Sequence, residues 1–422
     1  MRIVLLLATT SLLAACGGGG GVGSAPPPIV GGPTGPNATE HSFANPTEFR
    51  TYVGIGGNQT YEYLTDTRLL FDQQAETFAG NNTTVRDSTI EISYDPADAI
   101  YTLRVNDEET AADAHQVRFQ DPASRTDFDG LIEPQWGTPE LSNNNYQYLQ
   151  AGDGDPRSPY RRSGEGFVSA GDNDNPPTGE TGSAYQANSL FVIEPGSETQ
   201  YVTLAGFARN ALTFGSFTID GDIDPETGEE TIYDQTRWEL QRGAFAFGEV
   251  SARSAVPKTG SGSYSGSMLA TMVFNPTIDG QDPSGLENLP SYFQWIEGTA
   301  NLALDFTAGS FDIDLDGTVL KPQFDYYERD FSYETVIKEG ATFTAEGRGD
   351  INLVNFGGFK GFFDTASILN TNGRRYDINI AGSTVDGAFY GPQGQEVGGG
   401  FRVVGGNPDE RIDIMGAFIG KR

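Results

Sequence analysis

Residues 311–316 read Phe-Asp-Ile-Asp-Leu-Asp, with an apolar side chain alternating with an acid at every step. A period of two sends successive side chains to opposite faces, so such a run is a β-strand with one buried and one wet face. The pattern recurs. Leu302, Leu304 and Phe306 share one face, and Thr89–Tyr94 and Tyr101–Val105 alternate in the same way. Beyond the first sixteen residues, no ten-residue stretch carries a helical period. The 55 Gly, 27 Phe and 18 Tyr among 422 residues suit many short strands joined by tight turns. The fold class is therefore all-β.

Eight strand candidates follow Pro257. They are Ser261–Phe274, Glu297–Phe306, Ser310–Val319, Ala341–Ile351, Phe359–Asp364, Tyr376–Pro392 (bent or broken at Gly387), Glu396–Val404 and Arg411–Gly420. Turn residues separate them: Ala308-Gly309, Asn372-Gly373, Gly391-Pro392 and Asn407-Pro408-Asp409. Eight antiparallel strands fit an up-and-down barrel, which removes exposed edges and has an interior that side chains can fill. Gly347, Gly349, Gly398, Gly399 and Gly400 are expected to mark bends at barrel corners. A strand such as Phe343–Asp350 offers no apolar face long enough for lipid, so the barrel is expected to be soluble. Upstream, strand-like runs alternate with polar stretches. Gln147–Gly182 reads as an irregular excursion, Asp220–Gly228 as an acidic turn, and Gln200–Leu204 and Gly243–Gly248 as strands.

The N-terminus reads as a targeting segment. Arg2 precedes the short apolar run Ile3–Leu13, which is too short to span a bilayer. Leu13-Ala14-Ala15-Cys16 resembles a bacterial lipobox, the motif at which a precursor gains a diacylglyceryl thioether and is cut before the cysteine. The only Cys of the chain stands at the position the motif needs. Two or more acyl chains, palmitate among them, hold a protein on a membrane where one does not. Gly17 after the cysteine resembles the default sorting to the outer membrane. Gly17–Asn37 has no charge and almost no core-forming residue, and so reads as a tether.

Charge and composition exclude several functions. There are 58 acids against 26 bases, for a net charge of -32, which leaves no basic footprint for nucleic acid. One Cys and two His make no disulfide framework and no zinc cluster. His41 lies at the end of the tether, and His115 lies in Ala-His-Gln-Val with no nucleophile elbow, so no catalytic triad is read. Asp220–Asp224 and Asp312–Gly317 have the spacing of a calcium loop. The first carries Pro225 and Thr231 where Gly and Glu belong, and the second ends in Gln323. No motif selects a carboxylate pair for glycan cleavage. The expectation is no catalytic residue, no metal and no cofactor, so the chain is not an enzyme. Acidity is uneven: residues 1–250 hold 36 acids and 13 bases, and residues 251–422 hold 22 and 13.

The most specific segment is Gly382–Phe401, containing Ala388-Phe389-Tyr390-Gly391-Pro392-Gln393-Gly394-Gln395-Glu396-Val397-Gly398-Gly399-Gly400-Phe401. It resembles the barrel signature of the transferrin-binding protein B lobes, approximately G-x-F-[FY]-G-P-x-A-x-E-[LIV]-G-G-x-F, with Gly394 in place of the usual Ala. Pro257–Gly266 resembles the opening of the same barrel. Phe306–Gly309 and Gly416–Gly420 are similar in kind. Tyr201–Asn210 and Arg242–Gly248 are similar to the handle domain before such a barrel.

The chain resembles a single-lobe, transferrin-binding protein-like solute-binding protein. That resemblance implies a signal peptide over 1–15, a Gly/Pro-rich tether over 16–45, a handle-like β domain over 46–252 and an eight-stranded barrel over 253–422. It implies an outer-membrane lipoprotein, displayed on the cell surface by a Slam-type translocon, that binds a host protein, haem carrier or other nutrient ligand without catalysis. A structural or envelope-maintenance lipoprotein is the alternative. In the motif, Phe389, Tyr390, Gly391, Pro392, Gly398 and Gly399 read as structural. Glu396 reads either as a buried carboxylate accepting backbone N–H groups or as a translocon recognition feature. Ligand-binding residues are not assigned.

Overall fold

A computed structural model describes residues 43, 46–66, 78–82, 90–105, 115–120, 139–151, 185–275, 292–322, 336–355, 357–405 and 411–422. Cys16, His41 and all of the 16–45 tether but Phe43 lie outside the described residues. Among the described residues there is no helix, and the strands form two sheets.

The first sheet has ten strands: β1 (Arg50–Val53), β2 (Ile55–Asp66), β3 (Phe78–Asn82), β4 (Ile90–Asp95), β5 (Ile100–Val105), β6 (His115–Gln120), β7 (Tyr146–Ala151), β8 (Tyr185–Ile193), β9 (Val202–Ile223) and β10 (Glu230–Gly248). Their order is β1-β4-β5-β6-β7-β8-β9-β10-β2-β3, antiparallel throughout. β1 and β2 are separated only by Gly54, yet β1 pairs with β4 and β2 with β10. One bent strand thus joins distant parts of the sheet, which curls around its own core. Ile90, Ile92, Leu103, Phe119, Phe207 and Phe245 belong to that core.

The second sheet comprises β11 (Ser261–Asn275), β12 (Tyr292–Asp305), β13 (Ser310–Pro322), β14 (Thr342–Asn352), β15 (Gly358–Leu369), β16 (Arg375–Asp377), β17 (Thr384–Tyr390), β18 (Glu396–Gly405) and β19 (Arg411–Lys421). β11 pairs with β19, and β14 with β15, so eight strands close into an antiparallel barrel in up-and-down order. β16 pairs only with the end of β15 and is not one of the eight staves. The barrel interior is packed by inward side chains, among them Phe311, Ile313 and Leu315, while Asp312, Asp314 and Asp316 stand exposed outside. A row of exposed carboxylates is incompatible with a lipid-facing wall, so this barrel is a soluble one.

Several expectations need correction. The strand read as Tyr376–Pro392 is two strands, broken at 378–383 and not at Gly387. Gly387 lies within β17, where an added Cβ would strike the Phe359 ring. Gln147–Ala151 belongs to β7, so the excursion begins later than the composition suggests. Asp220–Ile223 continues β9, and the acidic turn proper is Asp224–Glu229. Gly398 does not mark a barrel corner; it faces the first sheet at close range. Gly347 does sit at a register shift between β14 and β15.

The two ends of the barrel differ. At one end, strands are joined by the short segments 306–309, 353–357 and 391–395. At the other, the connections are 276–291, 323–341, 370–383 (which includes β16) and 406–410. Phe43, the first described residue, packs on Tyr52 and Phe247 near the point where β10 leads toward the barrel. Phe43 therefore lies toward the short-turn end.

Candidate functional site

The motif residues meet at the seam between the two sheets. On the barrel side the wall is β18, β19, β11 and β12, which presents Leu269, Val273, Phe293, Trp295, Ala417 and Ile419. On the other side Ile55, Phe191, Val202, Leu204, Ala244 and Ala246 face it. Alternation along each barrel strand leaves the next residue pointing inward, so both faces of this wall are buried, the seam face holding Thr271 and Asp413 among its apolar side chains. β10 crosses the barrel strands steeply. Ala246 lies over Gly398 of β18, and the Arg242 guanidinium stacks on Phe293 of β12 with its carbon 5.2 Å from the ring centre. An aromatic chain runs through the joint: Phe191 meets Trp295 at 5.2 Å and Trp295 meets Phe293 at 5.6 Å, both edge-on.

Glycines set the closeness of the seam. A Cβ on Gly398 would stand 2.8 Å from Val202 and 3.0 Å from Ala246. One on Gly57 would stand 2.6 Å from Met415. Gly399, on the opposite face, leaves room for the Phe418 ring inside the barrel. Two adjacent glycines thus serve two different packed faces.

The rest of the motif builds the turn below. Phe389 packs in the barrel core against Phe306 and Phe359, and Tyr390 is fully buried in the seam. Gly391 has φ 82° and Gly394 φ 65°, the left-handed region where glycine is favoured. This explains Gly394 where the related pattern has Ala. Pro392 is exposed between them. The Tyr264 hydroxyl donates to the Gly394 carbonyl at 2.7 Å, tying the barrel's opening segment to its closing turn.

Glu396 is buried, and its two oxygens accept the backbone N–H groups of Gln200 at 2.7 Å and Tyr201 at 2.8 Å. Burial pushes its carboxyl up, against the pull of those N–H groups, that of Val202 and the Lys421 charge. Across the wall Glu297 of β12 does the same, accepting Ser142 N–H at 2.8 Å and Asn143 N–H at 2.9 Å. The Asn143 amide reaches on to Glu198, which also accepts the Ser267 hydroxyl. Two barrel carboxylates, on either flank of the seam, therefore each grip two consecutive amides of the first sheet's loops. Sequence reading singled out Glu396 but missed Glu297, Trp295 and Arg242. No spacing signals them, because their partners lie far away in the chain.

Among the described residues, the joint holds no His and no Cys. His115 opens β6. Asp224 spends its carboxylate on the backbone N–H groups of Glu226 and Thr227, which hold its pKa below the usual range. Among the described residues no group of three or more His, Cys, Asp or Glu is placed to hold a metal, and no helix is long and apolar enough to cross a membrane.

A curled sheet clamped on a closed, side-chain-filled barrel defines a lobe. Residues 256–422 match the family model of the C-lobe and N-lobe beta barrels of Tf-binding protein B. The chain is thus transferrin-binding protein B-like through its barrel, and that family consists of binding proteins, not enzymes. Among solved structures it is similar to a transferrin-binding protein B variant from Haemophilus parasuis, at 14% identity, covering 88% of this chain and 77% of that one, with TM-score 0.22. It is also similar to the N-lobe domain of lactoferrin-binding protein B of Moraxella bovis, at 14% identity, 57% and 79% coverage and TM-score 0.22. For the isotype 1 protein from serogroup B Neisseria meningitidis the values are 11%, 89%, 77% and 0.24. Superposition is loose in all three, so kinship rests on the barrel segment. A search of curated proteins found no match.

Proposed function

We propose that this protein is a lipid-anchored, surface-exposed outer-membrane binding protein that offers the long-loop end of its lobe to a host protein. The carrying observation is the asymmetry of the lobe. Phe43 lies toward the short-turn end, on the side of the Glu396 clamp, and the strand ends that lead into the longer connections lie at the opposite end. β10 runs past the barrel top at Phe293, so the β9–β10 hairpin extends toward that end as well. β9 pairs with β8 no further than Leu212. Beyond it the hairpin continues to the exposed turn at Asp224–Glu229. With 22 residues, β9 is about 70 Å long at a strand's rise.

A tether from a lipidated Cys16 would hold the short-turn end toward the membrane and free the other. The filled barrel interior favours recognition outside the barrel over a ligand carried within it. The family's barrel supports a protein partner; a haem carrier or another nutrient ligand, and delivery by a Slam-type translocon, are finer readings of the same surface. The acidic first half would steer basic partners with strong salt dependence. The test is capture by immobilised residues 40–422 from host serum and from purified transferrin, lactoferrin and haem carriers. Capture of one of these at physiological salt supports the reading. Capture of none favours the envelope-maintenance alternative.

A further inference from the structure

β16 adds nothing to barrel closure, yet its hairpin is held by a set of side-chain and backbone hydrogen bonds. The Asn370 side chain accepts the N–H groups of Lys338 and Thr371 at 3.0 Å each and donates to the Val336 carbonyl at 2.7 Å. Its backbone N–H bonds the Arg374 carbonyl at 2.8 Å, and Asn372 accepts the Arg374 N–H at 2.9 Å. Gly373 takes φ 85° at the tip. The buried Tyr376 ring leans edge-on against Phe274 of the barrel core at 6.1 Å. On the outer side of that ring lies the Arg374 guanidinium, 4.5 Å from its centre. Arg374 and Arg375 are both exposed, with Arg375 braced by Asp377 at 2.6 Å. Leu369, 47% exposed, stands at the base of the same hairpin.

We infer that the β15–β16 hairpin is a preformed docking point for an acidic patch on a protein partner. The inference rests on the long-loop end being the binding end. A guanidinium held flat on a ring has given up much of its conformational freedom before binding, and its planar fork suits carboxylates. Interface centres are enriched in arginine and aromatic residues set in well-packed surroundings. In a chain of net charge -32, an exposed Arg-Arg tip is a local point of opposite sign.

The test uses residues 40–422 and an immobilised deca-glutamate peptide, followed by biosensor at low and physiological salt. The wild type should bind with salt sensitivity. Arg374→Glu/Arg375→Glu should lose at least about tenfold in affinity, since each charged contact of this kind contributes substantially. Arg253→Glu/Lys258→Glu, exposed at the short-turn end with the same change in net charge, should bind as the wild type does. Arg374→Lys, which keeps the charge but not the flat stack, should fall between. An unchanged melting temperature shows that the tip variants fold. Equal binding by the tip variant, or no binding by the wild type, overturns the inference. Failure of the serum capture test alone would remove the proposed host-protein function and leave the peptide result standing.

Discussion

Glu396, the first residue of β18, and Tyr201, just before β9, are joined by a 2.8 Å hydrogen bond from the Tyr201 backbone N–H across 195 positions of sequence. With the Gln200 contact it makes one carboxylate serve two backbone donors that no other strand pairs. Glu297 repeats the device on the far flank.

Removing the clamp should loosen the seam. Glu396→Ala leaves two half-buried N–H groups without their acceptor, at a cost of about 2–4 kcal/mol. Urea unfolding should show a lower midpoint, with Trp295 fluorescence reporting the seam. A midpoint within error of the wild type would mean that water replaces the carboxylate fully.

The same residue gives a pH signature. Burial raises its carboxyl, so the folded protein holds that proton more tightly than the unfolded chain. Its stabilising contribution is complete below the unfolded pKa and is lost as pH rises through the higher folded one. The melting temperature of the wild type minus that of Glu396→Gln should therefore fall as pH climbs from about 4 to about 7. A difference that grows over that range would reverse the sign argued here.

Gly398 should tolerate no side chain. Gly398→Val would drive methyl groups into Val202 and Ala246, and overpacking of this kind costs about 1–3 kcal/mol. Gly373→Ala at the exposed hairpin tip is the comparison, strained by φ 85° but meeting no neighbour. Calorimetry should rank Gly398→Val as the more destabilised. The reverse order would place the close approach elsewhere.

Residues 253–422 produced alone should keep β-type circular dichroism while binding a hydrophobic dye that the longer chain excludes. The wall bearing Leu269, Val273, Phe293, Trp295 and Ile419 loses its cover in that fragment. Dye binding equal to that of residues 40–422 would show that the wall finds another cover.

Anchoring is tested by fractionation. Cys16→Ser should move the protein from the membrane fraction to the soluble one. Retention with the outer membrane would remove lipid attachment from the account.

Much of the barrel could be read in the sequence, because alternation such as Phe311-Asp312-Ile313-Asp314 survives wherever one face is wet. It failed where both faces pack. Gly387 looked like a bend, since a glycine within a strand often marks one, whereas here it makes space for Phe359. The true break after Asp377 was hidden because Tyr376-Asp377-Ile378-Asn379-Ile380 still alternates. The length of β9 was hidden by Gly215, Gly221 and their polar neighbours, residues that ordinarily signal turns. Glu396 stood out through its motif. Glu297 had no such marker, because its role comes from amides 154 and 155 positions away.

β11 and β19, the outermost staves in sequence, pair with each other, as in Val273 with Asp413. The cylinder cannot close until its last stave arrives, and four strands of the seam wall include both. Contacts of such long sequence separation form slowly because loop closure precedes any gain. Topology therefore acts as a delay, holding the cylinder open until its last stave has been made.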